Sequence, residues 1–214
     1  MKKAFIISLA IAMLEFAAAA ILYRYLPEKV PIRWNAGGIS AAFGDRINIF
    51  AAPVLSLLLT VGFRVLPHLI PKGGNIEKSG KIYPNLMVLM NLMMVLLLVV
   101  MATTAFRLRT PVNILLLISM GIVMMYLGNY LPKVKLNYAF GICLPWTLSN
   151  EFVWIKTHRF GGRIWFGAGV LCLIGVFIPA PLNFIIPLAG LYVGLVAITV
   201  YAHRVHKKNQ QENP

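Results

Sequence analysis

Six uninterrupted apolar runs dominate this chain of 214 residues, at roughly 4–26, 47–70, 84–106, 111–131, 162–179 and 182–203. A bilayer's hydrocarbon core takes about 20 apolar residues as helix, and an unpaired backbone amide inside it costs several kcal/mol. Each run therefore reads as a helix, and the fold class is all-α, a polytopic membrane protein with six transmembrane helices. The last two runs are divided only by "FIPAPLNFIIPL", where Pro179, Pro181 and Pro187 predict a tight helical hairpin. The start, Met1-Lys2-Lys3 and then "AAAA" at 17–20, resembles a signal peptide, but its apolar run continues to Leu26 and reads as an uncleaved span. No internal repeat and no separate soluble domain interrupt the pattern.

Lys and Arg number 20 against 6 Asp and Glu, a formal charge of +14 that could suggest nucleic acid. The cations instead sit in short clusters between apolar runs, as loops facing a cytoplasm or anionic lipid do, so nucleic acid is not an expected partner and membrane lipids are. With the first loop outside, the inner set is Lys2, Lys3, Lys72, Lys78, Lys81, Lys133, Lys135, Lys156, Arg159, Arg163, Arg204, Lys207 and Lys208. The outer set is Arg24, Lys29, Arg33, Arg46, Arg107 and Arg109, with Arg64 inside a span. The positive-inside rule then places both termini in the cytoplasm. Cys143 and Cys172 have no CxxC or Cys/His spacing, so neither a disulfide, a metal site nor a cofactor is expected.

Two loops stand out. In the outer one, at 27–46, Pro27 and Pro31 enforce extended backbone, "NAGG" supplies a turn with positive φ, and "FGDR" supplies a second. In the inner one, at 132–163, Pro145 disfavours helix before it, Thr147 is a good N-cap, and the pair Gly161-Gly162 is a stop, which predicts an interfacial helix over about 148–160 between the fourth and fifth spans. Leu148, Phe152 and Ile155 share one stripe of that helix, and Glu151, Trp154 and His158 another. One reading is an anchor on the membrane, with Lys156, Arg159 and Arg163 at headgroups and Trp146 and Trp154 at the interface. The sharper reading is a docking face, with Trp154 as the anchor, Glu151, His158 and Arg159 giving polar specificity, and Trp146 among the partner-binding residues. Catalysis, with His158 as base and Glu151 as its orienter, finds no recognisable nucleophile elbow, so the site residues include no catalytic set and the chain reads as a non-enzyme. An exposed His158 would titrate near neutrality.

Within the spans, a carboxylate at Glu15 costs roughly 2.5–3.5 kcal/mol and needs an inward-facing partner. Arg64 and Asn91 lie at compatible depths, so an intramembrane cluster of Glu15, Arg64 and Asn91 is expected, either as a structural pin or as a proton or ion site. The methionine-rich run at 85–101 reads as core and lipid contact.

The segment from 128, "GNYLPKVKLNYAFGICLPWTLSNEFVWIKTHRFGG", resembles the bacterial Sdp immunity-protein family, whose signature runs GNxLP, NYxxGI, PWTL, VWxxTHR and a glycine pair. "LPEKVPIRWN" and "FGDR" are similar to the domain of unknown function that often precedes it. The chain departs from the pattern at Arg33, usually histidine, and at Cys143-Leu144, usually Arg-Thr. The resemblance divides the chain into an N-terminal membrane region, 1–110, and an immunity-family region, 111–214. It implies a bacterial plasma-membrane protein protecting its producer from a secreted, membrane-active peptide toxin, with a cytoplasmic repressor held at the membrane as a further partner. Trp34, Asn35, Phe43 and Asp45 would then meet the toxin first, unless the outer loop is only a rigid lid. The alternative is a small proton-coupled transporter lined by Glu15 and Arg64, although no inverted repeat supports it.

Overall fold

The computed structural model describes residues 1–70 and 74–212; Lys72, one of the expected inner cations, lies outside them. The chain forms two compact units, Met1–Val65 with Tyr83–Leu116, and Leu66–Ile82 with Leu117–Pro214. The second takes 66–82 from the N-terminal half, so the units do not coincide with a division at 110.

The first unit is built on helix α1, Lys2–Tyr23. Its buried face is Ser8, Ala12, Glu15 and Ala19, small residues apart from the glutamate, which let neighbouring backbones approach. Ile6, Met13, Leu14 and Ile21 lie exposed on the other side, as a lipid-facing surface requires. Two antiparallel strands follow, β1 (Lys29–Trp34) and β2 (Ser40–Asp45), so the outer loop is a hairpin where turns alone were expected. Pro31 is tolerated because a two-stranded ribbon has only edge strands. The "NAGG" turn forms as its sequence predicts, with Gly38 at φ +78. A 3-10 turn, Arg46–Phe50, leads into α2, Ala51–Leu69, which begins in this unit and ends in the other. Helix α3, Gly74–Lys78, belongs to the second unit, and α4, Ile82–Ala105, lies almost wholly in the first. The hairpin's Val30 drops into a core of Ala19, Leu26, Ile49, Leu98 and Met101.

The second unit contains α3, most of α5 (Val112–Tyr130), a 3-10 turn at Leu131–Lys133, α6 (Pro145–Ser149), α7 (Glu151–Gly175) and α8 (Leu182–Glu212). Helices α7 and α8 run antiparallel: a Cβ on Gly175 would lie 2.7 Å from the Asn183 carbonyl oxygen, and Phe160 stacks on Tyr201 at 4.5 Å.

Among the described residues, five helices are long and apolar enough to cross a membrane: Lys2–Tyr23, Arg46–Leu69, Ile82–Ala105, Val112–Lys133 and Leu182–Glu212. This is a multi-pass membrane protein. The expected fifth span falls in α7, which has the length, although its first half carries Glu151, Lys156, Arg159 and Arg163. The expected interfacial helix ending at Gly161-Gly162 is corrected: α7 passes straight through the pair. The glycines are contact points instead. A Cβ on Gly162 would lie 2.6 Å from the carbonyl oxygen of Gly128, and one on Gly169 2.7 Å from that of Gly121. Two glycines seven residues apart on α5 thus meet two seven apart on α7, and the close approach outweighs the roughly 1 kcal/mol that glycine costs a helix.

Candidate functional site

The signature loop folds inward around two side chains of α7. Trp154 is 1% exposed and His158 fully buried, and their rings stack with centroids 3.9 Å apart. The Trp154 indole Nε1 donates to the Val134 carbonyl at 2.8 Å, and its ring packs among Ile82, Val134 and Leu136. The Ile142 amide donates to His158 Nε2 at 3.0 Å, so Nε2 is the acceptor and Nδ1, 2.8 Å from the Trp154 carbonyl oxygen, must donate. That fixes a neutral imidazole. Desolvation drives its pKa down to about 4, against a smaller opposing effect of the Trp154 carbonyl. Gly141, at φ +128, lets the loop pass over this pair, because a Cβ there would strike the imidazole and come within 3.1 Å of the indole.

Local hydrogen bonds hold the rest of the loop. Asn137 is fully buried; its amide donates to the carbonyls of Lys135 and Phe140, and its Oδ1 accepts from the amides of Ala139 and Phe140. From α3, Asn75 donates to the Leu136 carbonyl, and just beyond that helix Ser79 Oγ accepts from the Lys135 amide. Thr147 Oγ1 accepts from the Leu144 amide and donates to the Ile142 carbonyl, while Asn150, not Thr147, caps α7 by accepting from the amides of Phe152 and Val153.

The expected docking face is therefore corrected. Of Glu151, Trp154 and His158, only Glu151 is exposed, as is Arg159 about 12 Å further along the helix. The inward face of α7 is Val153, Trp154, Thr157, His158, Gly161 and Gly162, the outward face is Phe152, Ile155, Lys156 and Arg159, and Glu151 is exposed at the helix start. The helical period allowed both stripes, and the glycine contacts decide which points inward. Trp146 is half-buried, edge-on to His203 at 5.4 Å. With both His158 nitrogens engaged and Glu151 exposed at the start of the helix, two turns or about 10 Å away, the base-and-orienter pair is not assembled. Cys143 is exposed, but partial desolvation of its thiol raises its pKa, so it is no better a nucleophile.

In the hairpin, the four outer candidates separate by role. Asn35 Oδ1 accepts from the amides of Gly37 and Ile39, each at 3.0 Å, and so shapes the turn. Asp45 accepts from Lys29 Nζ at 2.6 Å, which holds the aspartate below its usual pKa and the lysine above it, on a fully solvated surface. Trp34 packs against the core of the first unit. Phe43 is 59% exposed and borders a cavity of about 700 Å³ shared with Tyr25, Lys29, Phe106 and Arg107.

The intramembrane cluster is also redrawn. Asn91 is fully buried and accepts from Ser56 Oγ at 2.5 Å and Thr60 Oγ1 at 3.0 Å, while its amide donates to the Met87 carbonyl. Glu15 is 3% exposed, and neither carboxylate oxygen has a hydrogen-bond partner, so the expected Glu15–Arg64 pairing is not made. Arg64 sits eight residues beyond Ser56 on α2, about 12 Å along the helix. Sequence reasoning missed Ser56 and Thr60, whose four-residue spacing on an apolar helix was the available signal.

The SdpI/YfhL protein family model matches residues 133–202, and the model of a domain of unknown function (DUF1648) matches residues 10–57. The protein called Immunity protein SdpI, from Bacillus subtilis (strain 168), is 30% identical over 206 residues, 95% of this chain and 96% of that protein. No solved structure matches the chain.

Proposed function

The chain belongs to the SdpI/YfhL protein family, and we propose that it is a membrane immunity protein protecting the cell that makes it from a secreted, membrane-active peptide toxin. The observation that carries this is the nearly end-to-end match to a protein named for immunity. The inward-folded signature loop supports it, since Trp154 and His158 serve packing and leave no assembled catalytic pair.

Loop charges put both termini in the cytoplasm and the hairpin outside. The hairpin then meets the toxin first. Trp34, Asn35 and Asp45 shape the surface and Phe43 contacts the peptide. On the inner side, Arg163 meets lipid headgroups. Recruitment of a cytoplasmic repressor uses the exposed side of α7, Glu151, Ile155, Lys156 and Arg159, in place of Trp154.

The test is expression in a toxin-sensitive strain challenged with a producer's culture supernatant. Survival should rise, and Phe43→Asp should lower it at an unchanged membrane level of protein. Unchanged survival with the wild-type chain ends the immunity reading. A second reading, a small proton-coupled transporter, draws on the unpartnered Glu15. Proteoliposomes that show no proton or solute flux, from protein that still protects cells, would end that one.

A further inference from the structure

In the first unit, α1 and α4 leave between them a groove of about 430 Å³, lined by Leu14, Ala18 and Leu22 on one wall and Leu98, Val99 and Thr103 on the other. Glu15 also lines it, 97% shielded, with both carboxylate oxygens unpartnered. Ser56 is near enough to hydrogen-bond this carboxylate, but its single hydroxyl proton is committed to Asn91 Oδ1 at 2.5 Å, which leaves Glu15 without a full donor. A buried carboxylate in hydrocarbon with no donor is a vacancy for one.

We infer that this groove is an intramembrane docking site for an apolar helix carrying one cationic side chain near its middle, anchored by Glu15. The groove's α1 wall runs from Ile11 to Leu22, about 16 Å or three helical turns, which suits a helix laid alongside. A lipid acyl chain fits the walls but brings no donor. An amine headgroup stays at the interface, about 16 Å from Glu15 if hydrocarbon begins at residue 4. Only a membrane-inserted peptide presents a cation at that depth. The inference extends the immunity reading and rests on it only for the natural occupant, a membrane-active peptide.

The experiment uses the full chain in proteoliposomes, labelled at the exposed Cys143, and two synthetic peptides. One is a polyleucine helix flanked by lysine pairs with a single lysine at its centre; its twin has leucine there. Energy transfer should report the lysine-centred peptide binding about ten-fold more tightly or better. Glu15→Gln should abolish that preference. Val99→Trp, which fills the groove from an exposed position, should weaken both peptides, with every variant still monodisperse in detergent. Equal binding of the two peptides by the wild-type chain marks an acyl-chain slot and overturns the inference, as does a preference that survives Glu15→Gln. Transfer between copies without peptide, lost in Val99→Trp, assigns the groove to a second copy and overturns it too. Failure of the wild-type chain to protect sensitive cells would sink the immunity reading and leave these binding results untouched.

Discussion

A histidine with both ring nitrogens engaged can take up a proton only by giving up a bond. For His158 the bond at risk is the one Nε2 accepts from Ile142. The unfolded chain binds this proton below about 6.5, whereas the folded chain refuses it until about 4. The neutral imidazole's contribution is therefore complete above about pH 6.5 and is lost as pH falls toward 4, roughly 3 kcal/mol in all. Melting of detergent-solubilised protein, followed by tryptophan fluorescence, should shift to lower temperature between pH 7 and pH 4.5. His158→Leu should melt lower at pH 7 and show a flatter profile. At Gly141, a side chain is strained by φ +128 and blocked by the imidazole, so Gly141→Ala should cost about 2 kcal/mol or more, read as a lower Tm. The signature's residue types were plain in the sequence, but their direction was not. Tryptophan and histidine four apart on a helix suit a partner surface as well as a core, and only the loop that folds over them shows which.

At the scale of elements, apolar length located five of the six expected spans, because bilayer thickness sets helix length whatever the neighbours are. Helix ends and azimuths were less legible. Gly161-Gly162 reads as a stop by the rules of water-soluble helices, yet among membrane helices it permits close approach, and Gly128, which faces Gly162, lies in another run altogether. The pairing of Glu15 with Arg64 failed for the same reason: depth follows from sequence position, but the direction around the helix axis does not. Substitutions can separate contact glycines from idle ones. Gly162→Val and Gly169→Val should each reduce yield and Tm sharply, since each pushes a side chain into a facing backbone. Gly167→Ala, with nothing within 4 Å, should be neutral or slightly stabilising.

For the molecule as a whole, the two loops make separable expectations. Cysteine placed at Ala36 in the hairpin turn should react with an impermeant reagent on intact cells, and cysteine at Asn209 only after permeabilisation, in a background with both native cysteines replaced. The reverse pattern would invert the topology and move the toxin-facing surface to α7. Phe43→Asp should affect protection alone, and Lys156→Glu with Arg159→Glu should affect recruitment of a cytoplasmic partner alone. One double variant that abolished both would show the loops acting as one.

Helix α7 carries a further consequence of having no break at its glycine pair. It is one rod of about 37 Å, gripped against α5 at Gly162 and Gly169. The two contacts, about 10 Å apart along the helix, hold its axis against α5, while Trp154 bonded to Val134 and the Ile142 amide bonded to His158 tie its first half to the signature loop. Rocking α7 would therefore have to break loop bonds, so the exposed residues from Glu151 to Arg159 are held at a fixed position relative to the α5 seam.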